Sequence, residues 1–361
     1  MKWKKLIWNR SHSQKRRGSD LPPTAEGYKG PNPSYWIHAK ELFQGILISV
    51  LSVLVFFSIG EIITRLVIGN PLITKPDEVL FWKYKKDQIG RQKLFSPISR
   101  VDQNGFRRSK IEFNPNLTSI YAGGDSFAWG EGVLDSETFS SQLQSTLLDH
   151  GLNYNVLNGG VPGYGIEQII NRMEIECEKF NPRYAIFLWV EGDIDRLRDI
   201  SPEQKEKFLR DYKIRSIFRY SAFLKIIKER LFDKVLQKDI EFGLYKDRNL
   251  QYGNTHTFNE KIKGLVPKIR TNIAFLKERE IIPIWVFMTV PSKEFRDYLI
   301  SLSNKLSVAV IDPELIYRAH FPGLLNMETK QSGHFKPEVY GLLADQVFDY
   351  IFSVENKRNK N

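Results

Sequence analysis

Tyr121-Ala122-Gly123-Gly124-Asp125-Ser126-Phe127 is the stretch on which the fold turns. Thr118 to Ala122 reads as a buried strand, two glycines then permit a sharp turn, and Thr138 to Leu148 carry the apolar spacing of an amphipathic helix. A serine at the start of a helix is a candidate nucleophile, because the first amides of a helix lack intrahelical acceptors and can hold an anion. The tripeptide Gly-Asp-Ser alone is better explained as turn chemistry, with Ser126 as an N-cap. The rest of the chain has to decide between the two.

Further along, short apolar runs rich in β-branched and aromatic residues recur. They predict strands at Ser119 to Ala122, Tyr154 to Leu157, Tyr184 to Val190, Ile282 to Met288 and Val308 to Ile311. Helical patterns fall between and after them, at Thr138 to His150, Ile166 to Phe180, Phe258 to Arg279, Lys293 to Lys305 and Glu338 to Phe352. Continuous apolar strands alternating with helices predict an α/β fold of three layers, α/β/α, around a parallel sheet of about five strands. Such sheets place ligands at the carboxyl ends of their strands, where Ser126 and the loops after Leu157 and Val190 emerge. A long helical insertion, about Arg196 to Gly253, separates the third and fourth strands.

The 361 residues suffice for one large domain with appendages, and the apolar (42%) and aromatic (13%) fractions are those of a chain with a packed core. Leu42 to Gly60, LFQGILISVLSVLVFFSIG, is a run of about 19 residues without a charge, close to the length that crosses a bilayer as a helix. Glu61 to Ile68 continues it until Asn70-Pro71. The leader 1–41 is dominated by lysine and arginine, so the positive-inside tendency places the N-terminus in the cytoplasm and the main domain outside it. Residues 61–117 read as a stalk or pre-domain, 118–352 as the main domain and 353–361 as a basic tail.

The net charge of +11 raises the question of nucleic acid. Much of the excess lies in the leader and between Arg196 and Lys238, without the motifs or aromatic interleaving that nucleic-acid binding requires. The single cysteine, Cys177, forms no intramolecular disulfide, and no two histidines or cysteines sit at metal-ligand spacing; neither metal nor cofactor is expected.

Four segments meet at one end of the sheet in the order proposed: Gly124-Asp125-Ser126, the glycine-rich Asn158 to Gly165, Glu191-Gly192-Asp193-Ile194-Asp195, and Ser332-Gly333-His334-Phe335-Lys336-Pro337. In this order they resemble the SGNH (GDSL-type) hydrolase family, whose fold is flavodoxin-like, over about residues 100 to 352. The resemblance implies Ser126 as nucleophile, the amides of Ser126 and Gly160 as oxyanion donors, and His334 as general base. The membrane helix and the turn Asn104-Gly105-Phe106-Arg107 look like an envelope-anchored branch of that family. The elbow G-x-S-x-G is absent, since Ala128 occupies its last position, which disfavours the α/β-hydrolase alternative.

The chain departs from the family pattern twice. An asparagine is usual in the third segment as a further oxyanion donor, whereas this chain offers Gly192 or Asp193, depending on register. An aspartate usually orients the histidine from two or three residues before it, where Gln331 and Ser332 stand here. The expected function is an envelope-anchored serine esterase or acyl (acetyl) transferase acting on an acylated carbohydrate or a lipid-linked ester. The alternative is a catalytically degenerate member that holds a glycan or a partner in the same crevice.

Overall fold

The computed structural model describes residues 33–93, 96–196, 201–227, 262–324, 327–328, 333–358 and 360. The chain divides into two compact units, Met1–Phe56 and Phe57–Asn361. Helix α1 (Pro33–Val67) includes the stretch His38–Val67, whose most apolar window has a mean hydropathy of 2.5 and no buried residue. At about 1.5 Å rise per residue, that stretch exceeds the roughly 30 Å of a bilayer core, so the helix is long and apolar enough to cross a membrane. The amides of Ile68 and Gly69 still donate to Thr64 and Arg65; Pro71 then lacks the N–H needed to go on.

Within the second unit, residues 72–117 form two antiparallel hairpins that the sequence pattern does not announce: β1 (Thr74–Asp77) with β2 (Phe81–Tyr84), and β3 (Gln88–Arg91) with β4 (Ile98–Val101). The parallel sheet follows. Its strands are β5 (Thr118–Gly124), β6 (Tyr154–Gly160), β7 (Tyr184–Trp189), β8 (Ile282–Phe287) and β9 (Ala309–Ile311), in the order β6-β5-β7-β8-β9. Each of the five expected strands is present.

The helices are α2 (Ser126–Trp129), α3 (Phe139–Asp149), α4 (Ile166–Phe180), α5 (Pro202–Tyr220), α6 (Ala222–Ile227), α7 (Val266–Glu278), α8 (Lys293–Leu306), α9 (Glu314–His320) and α10 (Pro337–Arg358). Alternate residues of the strands face opposite layers. Tyr121, Phe187, Trp189 and Trp285 pack with α4, α7 and α8, whereas Ile120, Ile186, Leu188 and Val286 pack with α3 and α10. Both faces of the sheet are therefore covered, which is why β6 and β7 are buried along their whole length.

Strand β5 has β6 on one side and β7 on the other, so the chain leaves β5 in one direction and returns past it to build the rest of the sheet. That reversal opens a crevice at the carboxyl ends of β5 and β7. The segments Asp125-Ser126 and Glu191–Asp195 enter the crevice from its two walls.

Candidate active site

The chain leaves β5 at Gly124 and enters the one-turn helix α2. Asp125, rather than Ser126, is the N-cap: its Oδ1 accepts the Phe127 amide at 2.9 Å, leaving Ser126 as the first helical residue. The Ser126 hydroxyl is thereby released from capping. Its own amide has no acceptor among the described residues, as expected for the first turn of a helix.

His334 arrives from the loop before α10. Its neighbour Phe335, 3% exposed, is set among the rings of Phe127, Tyr317 and Tyr340, and the Lys336 amide donates to Met327 O at 2.9 Å. Anchored on that side, the imidazole packs against Phe127 at 4.6 Å between centroids and brings Nε2 to 2.8 Å from Ser126 Oγ. The two residues are 208 positions apart in sequence. Asp125 Oδ2 also lies 3.2 Å from Ser126 Oγ, but a hydroxyl has one proton to give, and the shorter contact runs to the imidazole.

Ser126 is kept in place from behind by a side chain that the sequence reading quoted only as part of a turn. Asp102 Oδ1 accepts the amides of Asn104 and Phe106 and bends the chain through Gly105 at φ +91°. The next residue, Arg107, is 2% exposed. Its guanidinium binds Asp135 Oδ1 at 2.9 Å and donates to the carbonyls of Trp129 (2.8 Å), Gly130 and Val133 (2.6 Å), where α2 ends.

Gly160 closes the second segment. A Cβ there would lie 2.2 Å from Trp129 N, so only glycine lets β6 pass this close beneath α2. Its amide donates to Asn158 Oδ1 at 3.0 Å.

In the third segment, Asp193 is 1% exposed and faces Asp125, itself fully buried. One nitrogen of Arg196, Nη1, lies 2.6 Å from Asp193 Oδ1 and 2.8 Å from Asp125 Oδ2. Otherwise both Asp193 oxygens lack a hydrogen-bond donor among the described residues. Two ionised carboxylates around one guanidinium leave a net negative charge out of water, which a bound proton removes. Burial first, and the Asp125 carboxylate second, push the Asp193 carboxyl well above the ordinary range. That shift favours the protonated carboxyl, the form that does not repel an oxyanion. Gly192 beside it has no side chain, and a Cβ added there meets no atom within 4 Å.

With its carboxyl raised by burial, Asp193 binds its proton more tightly in the fold than in the unfolded chain, which releases it above about pH 4. The stability tied to that proton is complete below the unfolded-state value and is lost as pH rises through the higher folded-state value, at about 1.4 kcal/mol per unit between the two. Asp193→Asn, which keeps a donor and removes the titration, should therefore raise the thermal midpoint at neutral pH and flatten its pH dependence. A variant midpoint lowered equally at every pH would show that Asp193 is ionised in the fold.

Ser126, Gly160, Gly192, Asp193 and His334 all belong to the segments that meet at this end of the sheet; Gln331 and Ser332 lie outside the described residues. Asp125 and Arg196 were missed as partners of the site. The signal for Arg196 was its spacing of three from Asp193, one turn of a tight helix, in a segment read only for its basic character. Its backbone is fixed by Gly165, where a Cβ would stand 2.0 Å from Arg196 O.

No family model and no curated protein matches the chain. Solved structures with a similar arrangement include AlinE4, an SGNH-hydrolase family esterase (18% identity, 69% of this chain and 98% of that one, TM-score 0.35). Others are the psychrotrophic esterase EstA from Pseudoalteromonas sp. (12%, 66% and 99%, 0.42) and the acetyl xylan esterase AlAXEase (12%, 64% and 99%, 0.41). At these values the likenesses are distant, and the chemistry has to be argued from the side chains themselves.

Proposed function

We propose that this chain is a membrane-anchored, SGNH-type serine acyl hydrolase or acyltransferase. The observation that carries the reading is the 2.8 Å contact between Ser126 Oγ and His334 Nε2 at the crevice of a parallel sheet. Ser126 Oγ attacks the acyl carbonyl of an ester and passes its proton to His334 Nε2. The tetrahedral oxyanion is met by the Ser126 amide and by the Gly160 amide as Asn158 yields it. As the carbon–oxygen bond to the alcohol breaks, His334 returns the proton to the leaving oxygen. Water or a second hydroxyl, deprotonated by His334, then attacks the acyl-serine; the first outcome is hydrolysis and the second is transfer.

The long apolar helix supports a single-pass anchor, and the basic leader supports an N-terminus in the cytoplasm with the catalytic unit outside. A reporter fused after Asn361 that is active only outside the cytoplasm tests this orientation; activity of a cytoplasm-only reporter overturns it. Acylated carbohydrates or lipid-linked esters of the cell envelope are the substrate class that suits this placement.

The test of the chemistry is release of acetate from generic acetyl esters by the full chain in detergent. Ser126→Ala and His334→Ala should each lower kcat/KM by about 10⁴-fold or more, since nucleophile and base act as one unit. Equal rates for wild type and Ser126→Ala would refute the acyl-serine route.

A second reading has its own observation. With no side chain at Gly192 and the Gly160 amide engaged by Asn158, the oxyanion site is sparser than hydrolysis favours. On that reading the crevice holds an acylated glycan or a partner without turning it over. Binding of an acetylated glycan by wild type and Ser126→Ala alike, with no acetate released by either, would select it.

A further inference from the structure

Apart from the Ser126–His334 crevice, the second unit contains a cavity of about 460 Å³ beside the free edge of the sheet, between the β3–β4 hairpin and β6. That volume falls in the range of small-molecule sites. We propose that it binds a neutral, hydroxyl-rich ligand, a carbohydrate unit of one or two rings.

Two polar features point into the cavity without partners. Gln144 on α3 is 2% exposed, lines the cavity, and makes no hydrogen bond through its amide among the described residues. The amide keeps some accessibility and carries both a donor and an acceptor, so a ligand in the cavity can meet both. The second feature is the backbone of Val156. Val161 donates to Gly124 O at 3.0 Å, which turns the polar groups of Val161, Gly159, Leu157 and Asn155 toward β5. Because these directions alternate along a strand, the N–H and C=O of Val156 point to the outer edge. On either side of it the edge is occupied: Arg107 bridges to Asn158, and the Tyr154 amide donates to Leu152 O. Val156 has no such partner, although it is 5% exposed.

The chain itself comes close to filling this slot. Arg107 lies antiparallel to both β4 and β6, and continuing that line would set Ser109 opposite Val156. Instead Ser109 and Lys110 are drawn away to the Ser141 hydroxyl on α3, at 3.1 and 3.0 Å, and the slot stays open. Since Arg107 blocks one end of it, an extended peptide cannot run through, which favours a compact ligand.

The charges of the lining exclude an anion as the preferred occupant. Arg100, Arg107 and Arg108 are matched by Asp87, Asp102 and Glu112, and Arg107 and Arg108 already hold Asp135 and Glu112 at 2.9 and 3.1 Å. Gln144 and the backbone N–H and C=O of Val156 each contribute a donor and an acceptor, beside the apolar wall of Phe113. Vicinal hydroxyls, each donor and acceptor at once, suit that set.

The test is saturation-transfer NMR on the detergent-solubilised full chain with glucose, galactose, N-acetylglucosamine and their β-linked disaccharides as probes. Glucuronate, inorganic phosphate and an extended tetrapeptide serve as comparisons. At least one neutral sugar should bind in the millimolar range, and Gln144→Leu should weaken it by about tenfold, the worth of a lost pair of hydrogen bonds. The same variant should melt no lower than wild type, because Gln144 has no protein partner to lose, and its acetyl-ester activity should be unchanged. The proposal is overturned if no neutral sugar binds, if an anion or the peptide binds better, or if Gln144→Leu binds as wild type does. None of these outcomes depends on the reactivity of Ser126, so the two proposals stand or fall separately.

Discussion

Substituting asparagine for Gly192 should raise kcat/KM on a generic acetyl ester by about 10²–10³-fold, the usual worth of one oxyanion donor. Gly192 is exposed and lies in the short 3₁₀ turn Glu191–Asp195, beside Asp193. A Cβ fits there without contact inside 4 Å, so the added side chain displaces nothing. Among the described residues the Ser126 amide is unengaged, but the Gly160 amide donates to Asn158, so on the proposed route one oxyanion donor is already committed. On the proposed acyl-serine route an asparagine amide here adds a donor for the oxyanion, whereas Gly192→Leu adds bulk without one. A gain with asparagine and none with leucine is the expected pattern. If neither variant gains, oxyanion stabilisation does not limit the rate and the donors already present suffice.

Arg107→Met should cost about 3–5 kcal/mol of stability, the usual result of removing one member of a buried ion pair. The guanidinium is the sole described donor to Asp135 Oδ1, and it also satisfies the last carbonyls of α2. Methionine keeps most of the volume and none of the hydrogen bonds, so the loss reads out electrostatics rather than a cavity. Asp135→Asn should recover part of the loss in the double variant, because the carboxylate, then held only by the half-exposed Arg100, is gone. Thermal unfolding of the full chain in detergent measures both. Ser126 depends on the same contacts, and activity should fall further than the unfolded fraction explains. A midpoint within a degree or two of wild type would mean that the arginine holds neither the helix nor the serine.

The sheet was legible because β5 to β8 are largely buried on both faces, and such strands must be written as continuous apolar runs bounded by turn residues. Helices α4 and α8 were legible for the complementary reason, one apolar stripe each at helical spacing. The hairpins of residues 72–117 were not. Their strands are four residues long, two of their turns use Phe81 and Asp87 at positive φ, and their apolar residues pack on partners distant in sequence. In the site, Ser126 and His334 could be named because serine and imidazole chemistry demands both. The roles of Asp125, Asp193 and Arg196 could not, since they follow from burial and from the way one guanidinium is placed between two carboxyls. Ser126 as N-cap was a reasonable expectation from Gly-Asp-Ser; Asp125 takes that role because its side chain reaches the Phe127 amide first.

An activated Ser126 should be captured covalently by a fluorophosphonate. The full chain in detergent, incubated with the probe and digested, should yield one modified peptide carrying the adduct on Ser126. Ser126→Ala should yield none, and His334→Ala should label far more slowly. An unlabelled wild-type chain, or a chain labelled equally well without His334, would contradict that activation.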